Sequence, residues 1–237
     1  FRNCSKITKL IVPASVAEIG VSAFEYCYDL EEVVFEEADN PEIADLTIAT
    51  KAFYYDDLLE LTFPKHLRTI ESYAFGGNSR LKTVTVNSEG ELSFGTGVTS
   101  DESSYGYSYS YVTTVNLSDT ASLFDVAGVF NGSNNKLETI NVSPENEVYY
   151  LNPVDGVLYN KEVTKILYYP LNKKGNFTLP ETVTEISANV FTGRDFVTFT
   201  VGKNVEFIGE NAFGKCLSLK EVVFEEADNP EIADLTI

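Results

Sequence analysis

Residues 19 to 35 read IGVSAFEYCYDLEEVVF, and residues 208 to 224 read IGENAFGKCLSLKEVVF. The two stretches share Ile, Phe, Cys, Leu, Val and Phe at the same spacing, and weaker copies of this frame fill the chain between them. A frame that returns every ~20 to 50 residues indicates a solenoid, because one unit cannot bury its apolar side chains without stacked neighbours. This repeat is therefore the feature that decides the fold.

The most regular part of the repeat is a triplet of apolar residues at positions i, i+3 and i+5. It occurs nine times, with successive starts 23 to 33 residues apart. Its last two members alternate with outward positions and are mostly Val, Ile, Phe or Leu, which predicts a short strand with one buried face. Since every unit runs in the same direction, we expect these strands to pair in parallel as one ladder. The nine triplets are Ile7/Leu10/Val12, Leu30/Val33/Phe35, Leu58/Leu61/Phe63, Leu81/Val84/Val86, Val112/Val115/Leu117, Leu137/Ile140/Val142, Val163/Ile166/Tyr168, Phe196/Phe199/Val201 and Leu219/Val222/Phe224.

A second apolar pair, such as Val16/Ile19 or Val205/Ile208, often follows the strand, and a small residue with Phe comes after it, as in Ala23-Phe24. These segments are too short for a helix of three turns, so we expect extended pieces and single 3₁₀ turns on the back face. The Phe is predicted to fill the space between stacked turns. Gly20 and Gly209 follow Ile at equivalent places, which suggests a tight corner.

Two stretches break this rhythm. Residues 87 to 111 form a Tyr/Ser-rich insertion, and residues 144 to 180 suggest a hairpin-like embellishment with a turn near Asn160-Lys161. Residues 32 to 48 are identical to residues 221 to 237, which indicates a recent duplication, with a binding surface shared by both copies as the alternative. We expect residues 1–237 to be one solenoid of about nine turns, cut from a longer array.

Composition excludes several classes of function. The formal net charge is -19, from 36 acidic and 17 basic residues, so the chain should repel nucleic acids and anionic membranes. No apolar run is long enough to insert into a membrane. Cys4, Cys27 and Cys216 each lie three residues after a frame Phe, and this odd count at one repeat position predicts free thiols.

Catalytic chemistry has little support in the residues. His66 is the single histidine and lies in a polar corner, Pro64-Lys65-His66-Leu67, where we expect an exposed loop side chain. No GxSxG, P-loop, GxGxxG or CxxC motif occurs, so we predict no enzyme, no cofactor and no metal. The densest acidic group, from Glu36 to Asp45, lacks EF-hand spacing; a solvated loop is favoured, and a weak calcium site stays open.

The stretch Leu10-Ile11-Val12-Pro13, followed at fixed spacing by Val16, Ile19-Gly20, Ala23-Phe24, Cys27 and Leu30, resembles the BspA-type leucine-rich repeat. The unit from Asp155 to Pro170 looks like a companion element of the same proteins. The resemblance implies a right-handed leucine-rich-repeat solenoid, mostly β with little helix, in secreted or surface-attached proteins associated with adhesion. The Cys position departs from the pattern in four units, where polar side-chain hydrogen bonds are expected instead. These residues are Asp56, Asn78, Ser133 and Arg194.

Binding is therefore the function we expect, at two places. The outward strand positions are rich in threonine, which suits a broad protein-binding face or simply an exposed sheet. The Tyr/Ser insertion resembles the composition of antibody loops, with packing or disorder as the alternative. The candidate binding residues are Thr83, Thr85, Thr114, Thr139, Thr198, Thr200, Tyr105, Tyr107, Tyr109 and Tyr111. We predict a non-enzymatic adhesion module that binds a host or neighbouring-cell protein; the alternatives are a structural stalk and a carbohydrate-binding module.

Overall fold

The computed structural model describes residues 1–37, 43–95, 97–99, 110–122, 136–173 and 177–225. These residues form seventeen short β-strands and no helix. They divide into two compact units: unit 1 is Phe1–Phe124 with Gly132–Glu147, and unit 2 is Asp125–Asn131 with Val148–Ile237. The described residues form a β-solenoid of about eight turns built on parallel strand ladders. The parallel ladders are as the repeat predicts, whereas the expected number of turns is about nine.

Six strands of unit 1 form what we call the front ladder. Within it β1 pairs with β3, and β5, β7, β9 and β10 pair in sequence, all parallel. Between β3 and β5 the backbone N–H groups of Asp57 and Leu59 donate to the carbonyls of Leu30 and Glu31, both at 3.2 Å. The apolar residues of each triplet face the core. The strands are β1 (Lys9–Val12), β3 (Glu32–Phe35), β5 (Glu60–Phe63), β7 (Thr83–Val86), β9 (Thr114–Leu117) and β10 (Thr139–Val142).

The extended segments on the back of unit 1 also pair with one another, forming a second ladder. It consists of β2 (Glu18–Ile19), β4 (Leu46–Ile48), β6 (Leu67–Ile70) and β8 (Ser93–Phe94), all parallel. Strand β8 lies inside the predicted insertion, and its Ser93 and Phe94 are in register with Thr69 and Ile70 of β6. The repeat architecture therefore continues further into residues 87 to 111 than the spacing suggests.

Consecutive β-turns, rather than 3₁₀ helices, connect the second ladder to the next front strand in the part of the chain that the structure describes. We call residues 20–27, 49–56 and 71–78 the turn segments. In the first turn segment, every second backbone N–H donates to the carbonyl three residues before it and closes a β-turn. The intervening N–H groups donate to the next turn segment. The closing bonds are Ala23→Gly20, Glu25→Ser22 and Cys27→Phe24, and the bonds between segments are Ser22→Thr50, Phe24→Ala52 and Tyr26→Tyr54. This alternation satisfies the backbone donors of a buried corner without a helix.

Stacked phenylalanines fill the space between the turn segments, as predicted. The rings of Phe1, Phe24, Phe53 and Phe75 form a continuous stack in unit 1, with centroids 5.2 to 5.3 Å apart and planes within 5° of parallel. In unit 2, Phe191 and Phe213 stack at 5.0 Å. Each ring covers the apolar face of its neighbour and removes it from water.

The glycines at the predicted corner are not equivalent. A Cβ at Gly209 would lie 2.4 Å from the backbone nitrogen of Ala188, so close approach of two turns requires glycine there. A Cβ at Gly20 would meet nothing within 4 Å. Neither glycine has a positive φ, so the tight-corner prediction is wrong for Gly20 and right for Gly209 for a steric reason.

Unit 2 contains the predicted hairpin. Strands β11 (Tyr149–Leu151), β12 (Leu158–Asn160) and β13 (Lys165–Tyr168) form an antiparallel meander. At the turn between β12 and β13, the Asn160 Oδ1 accepts hydrogen bonds from the backbone N–H groups of Thr164 and Lys165, at 2.9 and 2.8 Å. The embellishment at residues 144 to 180 is thus a three-stranded element.

All nine triplets form strands, but three of these strands lie outside the front ladder. Strand β13, from the triplet Val163/Ile166/Tyr168, continues in parallel into β14 (Glu185–Ile186) and β16 (Phe207–Ile208). Strand β15 (Thr198–Val201) instead pairs with β17 (Glu221–Phe224), and Thr178 forms an isolated bridge with Thr200. The prediction fails because an apolar alternation marks a half-buried strand without identifying the strand's partner.

Candidate interaction surface

The outward threonines of the front ladder form a straight row. Thr83 lies directly opposite Thr114, and Thr114 lies opposite Thr139, on strands β7, β9 and β10. Thr139 is exposed, and the other two are half-buried by their neighbours. The parallel register places like side chains side by side, because every strand begins at the same point of the repeat. The structure thus brings three of the predicted site residues together.

A second row runs beside the first and is joined by side-chain hydrogen bonds. The Asn141 Nδ2 donates to Asn116 Oδ1 at 2.9 Å, and the Asn116 Nδ2 donates to Thr85 Oγ1 at 3.2 Å. These bonds fix the orientation of the amides and present an ordered polar face to solvent. Thr85 therefore lies in the same surface as Thr83, in the adjacent row.

Toward β1 the front ladder changes its chemistry. Lys9 Nζ pairs with Glu32 Oε1 at 2.7 Å across β1 and β3, and both side chains are half-exposed. Beside them lie Ile11, which is 54% exposed, and Val34. One end of the ladder is therefore charged and apolar, whereas the end around β7, β9 and β10 is neutral and polar.

Tyr111 is the one tyrosine of the predicted Tyr/Ser site that the structure describes. Its ring centroid is 5.2 Å from Lys82 Nζ and 5.1 Å from Lys136 Nζ, so the ring contacts two cations of neighbouring turns. Lys82 immediately precedes Thr83, which places this contact beside the threonine row. Tyr105, Tyr107 and Tyr109 lie outside the described residues.

Thr198 and Thr200 belong to unit 2 and lie on β15. Their partners in register are Glu221 and Val223 of β17, and Thr198 is exposed. On the side of β17 they therefore lie beside a charged and an apolar residue, and on the other side of β15 Thr200 bridges Thr178. The six threonines therefore divide between the two units, with four in unit 1 and two in unit 2.

The side chain three residues after the turn Phe joins neighbouring turns by hydrogen bonding to their backbone. In four turns the acceptor is the aromatic residue at the equivalent place of the preceding turn. The bonds are Cys27 Sγ→Phe1 O (3.3 Å), Asn78 Nδ2→Phe53 O (2.7 Å), Arg194 Nη2→Tyr169 O (2.7 Å) and Cys216 Sγ→Phe191 O (3.0 Å). Asp56 also bonds to the backbone, accepting from Cys27 N at 2.8 Å. The expected polar capping is confirmed at Asp56, Asn78 and Arg194; Ser133 lies outside the described residues.

The three thiols are free, as predicted. Cys27 is buried, while Cys4 and Cys216 are half-buried. Burial raises the pKa of the Cys27 and Cys216 thiols above the ordinary value of 9.0. A raised pKa keeps the sulfur protonated, which suits its role as a hydrogen-bond donor and not that of a nucleophile.

His66 is buried, at 8% exposure, and the expectation of an exposed loop residue is wrong. Its backbone carbonyl accepts a hydrogen bond from Leu46 N at 2.9 Å, which holds the corner against the start of β4. Burial lowers the pKa of the imidazole, and its Nδ1 has no hydrogen-bond partner. The side chain is therefore a neutral core residue of the fold.

The described ranges lack the features of a metal site and of a membrane-spanning helix. They contain no group of three His, Cys, Asp or Glu side chains placed to hold a metal ion. Residues 38 to 42 of the acidic stretch lie outside these ranges, so the calcium alternative stays a hypothesis. Nor does any helix within these ranges have the length and apolar character needed to cross a bilayer.

Sequence reasoning missed one feature of unit 1, a group of tyrosines on the turn segments. Tyr26, Tyr28, Tyr54 and Tyr55 lie in contact on two neighbouring turn segments or directly after them. The signal was present in the repeat: aligning the turns by their Phe places Tyr26 and Tyr55 where Asn3 and Gly77 occur in other turns. Tyrosine is unusual at a position that several other turns fill with Asn or Gly, and the packing of the turns does not require it there.

Comparison with known proteins identifies the repeat. The BspA type leucine rich repeat region matches in six copies over residues 1–45, 46–152 and 161–233. A search of the curated proteins finds no match. Similar solved structures include the pneumococcal vaccine antigen PcpA (20% identity, 91% of this chain and 50% of that one, TM-score 0.49). A leucine-rich repeat protein from Eubacterium ventriosum (23%, 95% and 56%, 0.49) and a leucine rich cell surface protein from Faecalibacterium prausnitzii (18%, 95% and 62%, 0.39) are also similar.

The chain spans between 50% and 62% of the length of these three structures. The family repeat, in contrast, covers nearly the whole of this chain, including both units. The strand ladders, the stacked turn phenylalanines and the capping position together agree with that assignment. The protein belongs to the BspA-type leucine-rich repeat family.

Proposed function

We propose that this chain is a non-enzymatic protein-interaction module of a secreted or surface-attached bacterial protein. The observation that carries the proposal is the ordered polar face of the front ladder, where Thr83, Thr114 and Thr139 form one row and Thr85 begins the next. Solenoids present such stacked faces as extended binding surfaces. Membership of a family associated with adhesion supports the location and the kind of partner.

The size of the face suggests that a partner also uses its edge. Six strands about 4.8 Å apart and four residues long cover about 24 Å by about 14 Å, or roughly 340 Å². A stable protein interface buries about 800 Å² on each partner. We therefore propose that the partner also contacts Tyr111 and the adjoining tyrosines Tyr105, Tyr107 and Tyr109. Tyrosine supplies large contact area with little loss of side-chain entropy.

Binding to purified host extracellular proteins, measured by pull-down and then by titration, tests the proposal. The first variant changes Thr83, Thr114 and Thr139 to Arg, which places three long cations on the row. Its matched control changes Thr47 and Thr69 to Arg; these threonines lie opposite each other on the second ladder and point outward. We expect the first variant to lose binding and the control to keep it.

A third variant changes Tyr105, Tyr107, Tyr109 and Tyr111 to Ser. Loss of affinity is expected if the edge contributes, and unchanged affinity would remove these tyrosines from the proposed surface. A chain that binds none of the proteins tested, while a neighbouring domain of the full-length protein does, would favour the stalk. A positive glycan array with no protein partner would favour the carbohydrate-binding alternative.

A further inference from the structure

The turn segments of unit 1 carry a compact group of aromatic rings that the front ladder does not use. We define the tyrosine cluster as Tyr26, Tyr28, Tyr54 and Tyr55. Ring centroids lie 5.8 Å apart for Tyr26 and Tyr28, 5.9 Å for Tyr26 and Tyr55, and 4.6 Å for Tyr54 and Tyr55. Tyr54 is buried at its base, whereas Tyr28 is 57% exposed and Tyr55 is 38% exposed. The cluster therefore presents two exposed aromatic rings, Tyr28 and Tyr55, together with the buried ring of Tyr54.

The backbone beneath this cluster is in a conformation that tyrosine disfavours. Tyr26 and Tyr55 have φ of 63° and 58°, and both lie two residues after the turn Phe. In other turns this position is held by Asn3, Gly77 and Gly193, residue types that adopt positive φ readily, and by Lys215, which also has a positive φ. Folding alone would therefore favour Asn or Gly in place of these tyrosines. A residue kept in an unfavourable conformation suggests selection for another property.

Packing around Tyr55 indicates that its ring is held in place. A Cβ at Gly77 would lie 2.7 Å from Cδ2 of Tyr55, so the ring lies against the bare backbone of the next turn. On its other side Tyr55 makes an edge contact with Tyr54. An aromatic ring fixed by a glycine below it and a second ring beside it is preorganised for binding, which lowers the entropy lost on contact.

The chemistry of the ring faces points to a cationic ligand. The guanidinium of Arg2 lies 5.7 Å from the Tyr26 centroid, and Lys51 Nζ lies 5.1 Å from the Tyr54 centroid. Such contacts are favourable because the face of an aromatic ring is electronegative. Arg2 is itself neutralised by Glu25 at 2.9 Å, and Lys6 nearby by Asp29 at 3.2 Å. These two cations therefore do not strongly repel an incoming Lys or Arg side chain.

We propose that the tyrosine cluster docks Lys or Arg side chains of a basic polypeptide segment, with Tyr28 and Tyr55 as the exposed receiving rings. The net charge of -19 adds long-range attraction for such a segment and steers it to the protein. A neutral glycan would gain nothing from this charge. The docking site is separate from the front ladder, and the proposal stands whether or not the front ladder binds a partner.

The test uses a peptide of repeated Arg-Gly units and the same peptide with citrulline, its uncharged isostere, in place of arginine. Affinities for the whole chain are measured by fluorescence anisotropy at low and at physiological ionic strength. The key variant combines Tyr26→Asn and Tyr55→Asn. It leaves the net charge unchanged, and Asn already occupies this position at Asn3, so the variant should fold at least as well as the parent.

We expect the double variant to bind the arginine peptide about tenfold more weakly, because it removes the receiving ring of Tyr55 and the Tyr26 ring that packs against Tyr28. Lys215→Asn is the matched control: it makes the same backbone change in unit 2 and should not weaken binding. Tyr28→Ser, at an exposed site with ordinary φ, should also weaken binding and provides a second variant if the first misfolds.

Equal affinity of the double variant and the parent would overturn the proposal, since only net charge would then be acting. Equal affinity for the citrulline peptide, or tight binding of a neutral oligosaccharide in place of the arginine peptide, would also overturn it. Threonine-row variants serve as the reference for the front ladder. Their binding of the arginine peptide should be unchanged, which separates failure of this site from failure of the proposed function.

Discussion

In unit 1 the position three residues after the turn Phe holds a hydrogen-bond donor at Cys27 and Asn78, but an acid at Asp56. Cys27 and Asn78 donate to the turn carbonyl of the preceding segment, but a carboxylate at Asp56 has no proton to donate. Its Oδ2 is buried without a partner, and Glu25 is the charged group that faces it. Burial, with a further contribution from Glu25, raises the pKa of Asp56 to about 8, so the neutral acid is the form that suits this position.

This raised pKa predicts how stability depends on pH. Between the ordinary value of 3.8 and about 8, the folded chain holds a proton that the unfolded chain releases. The free energy of unfolding should therefore fall as pH rises through this range, by at most about 1.4 kcal/mol per pH unit, and level off above it. His66, whose pKa is lowered, acts in the opposite sense below its ordinary value of 6.5, so the clearest window is pH 6.5 to 8.

Asp56→Asn should remove this slope, because Asn78 already fills the equivalent place in the next turn. Urea denaturation across the window, followed by circular dichroism, measures the effect. We expect the variant to be more stable than the parent at pH 8 by more than about 1 kcal/mol, and to differ less at pH 5. Parallel pH profiles for the two proteins would show that Asp56 is ionised throughout.

At the scale of elements, the phenylalanine stack is the feature that joins one turn to the next. Phe53 is fully buried, stacks on Phe24 and Phe75, and meets Phe35 edge-on. Phe53→Ala should lower the free energy of unfolding by about 3–5 kcal/mol, since it removes buried area and leaves a cavity. Phe1→Ala, at the end of the stack and 76% exposed, should change it by less than about 1 kcal/mol. Similar losses for both variants in urea denaturation would contradict a cooperative stack.

The sequence is sufficient to predict which segments form strands, but not how those strands pair. All nine triplets form strands, six of them in the front ladder, because alternation of apolar residues is a local property that survives in the fold. The strand formed by the triplet at Val163 does not join the predicted ladder, because the choice of partner strand is not a local property. Strand β13 pairs with β12 as a hairpin and joins the sheet of β14 and β16. The pairing of the second ladder was likewise hidden, since strands of two to four residues carry too short a pattern.

The identical EVVF segments of β3 and β17 show that the same local sequence can be buried in one strand and exposed in another. Val33 and Phe35 are buried in β3, whereas Val222 and Phe224 in β17 are 39% and 49% exposed. Strand β3 has β1 on one side and hydrogen bonds from the segment before β5 on the other, while the pairing described for β17 is with β15. Sequence sets strand formation, and neighbouring turns set burial.

At the scale of the whole molecule, the repeat and the charge together limit what the protein can do. Parallel turns place threonines in a row, and an excess of acidic residues disfavours nucleic acids and anionic membranes as partners. The sequence supplied the threonine positions of this candidate surface. It did not supply the hydrogen-bonded row from Thr85 to Asn141 or the tyrosine cluster, because both depend on which turns become neighbours.

We propose that the front ladder of unit 1 is the protein-binding face. Threonine-methyl NMR of the labelled 26.2 kDa chain, recorded with and without a bound extracellular protein partner, measures this at single residues. We expect the largest shift changes at Thr83, Thr85, Thr114 and Thr139, with Thr47 and Thr69 on the second ladder unaffected. Shift changes at Thr47 and Thr69 with none on the front ladder would contradict the claim.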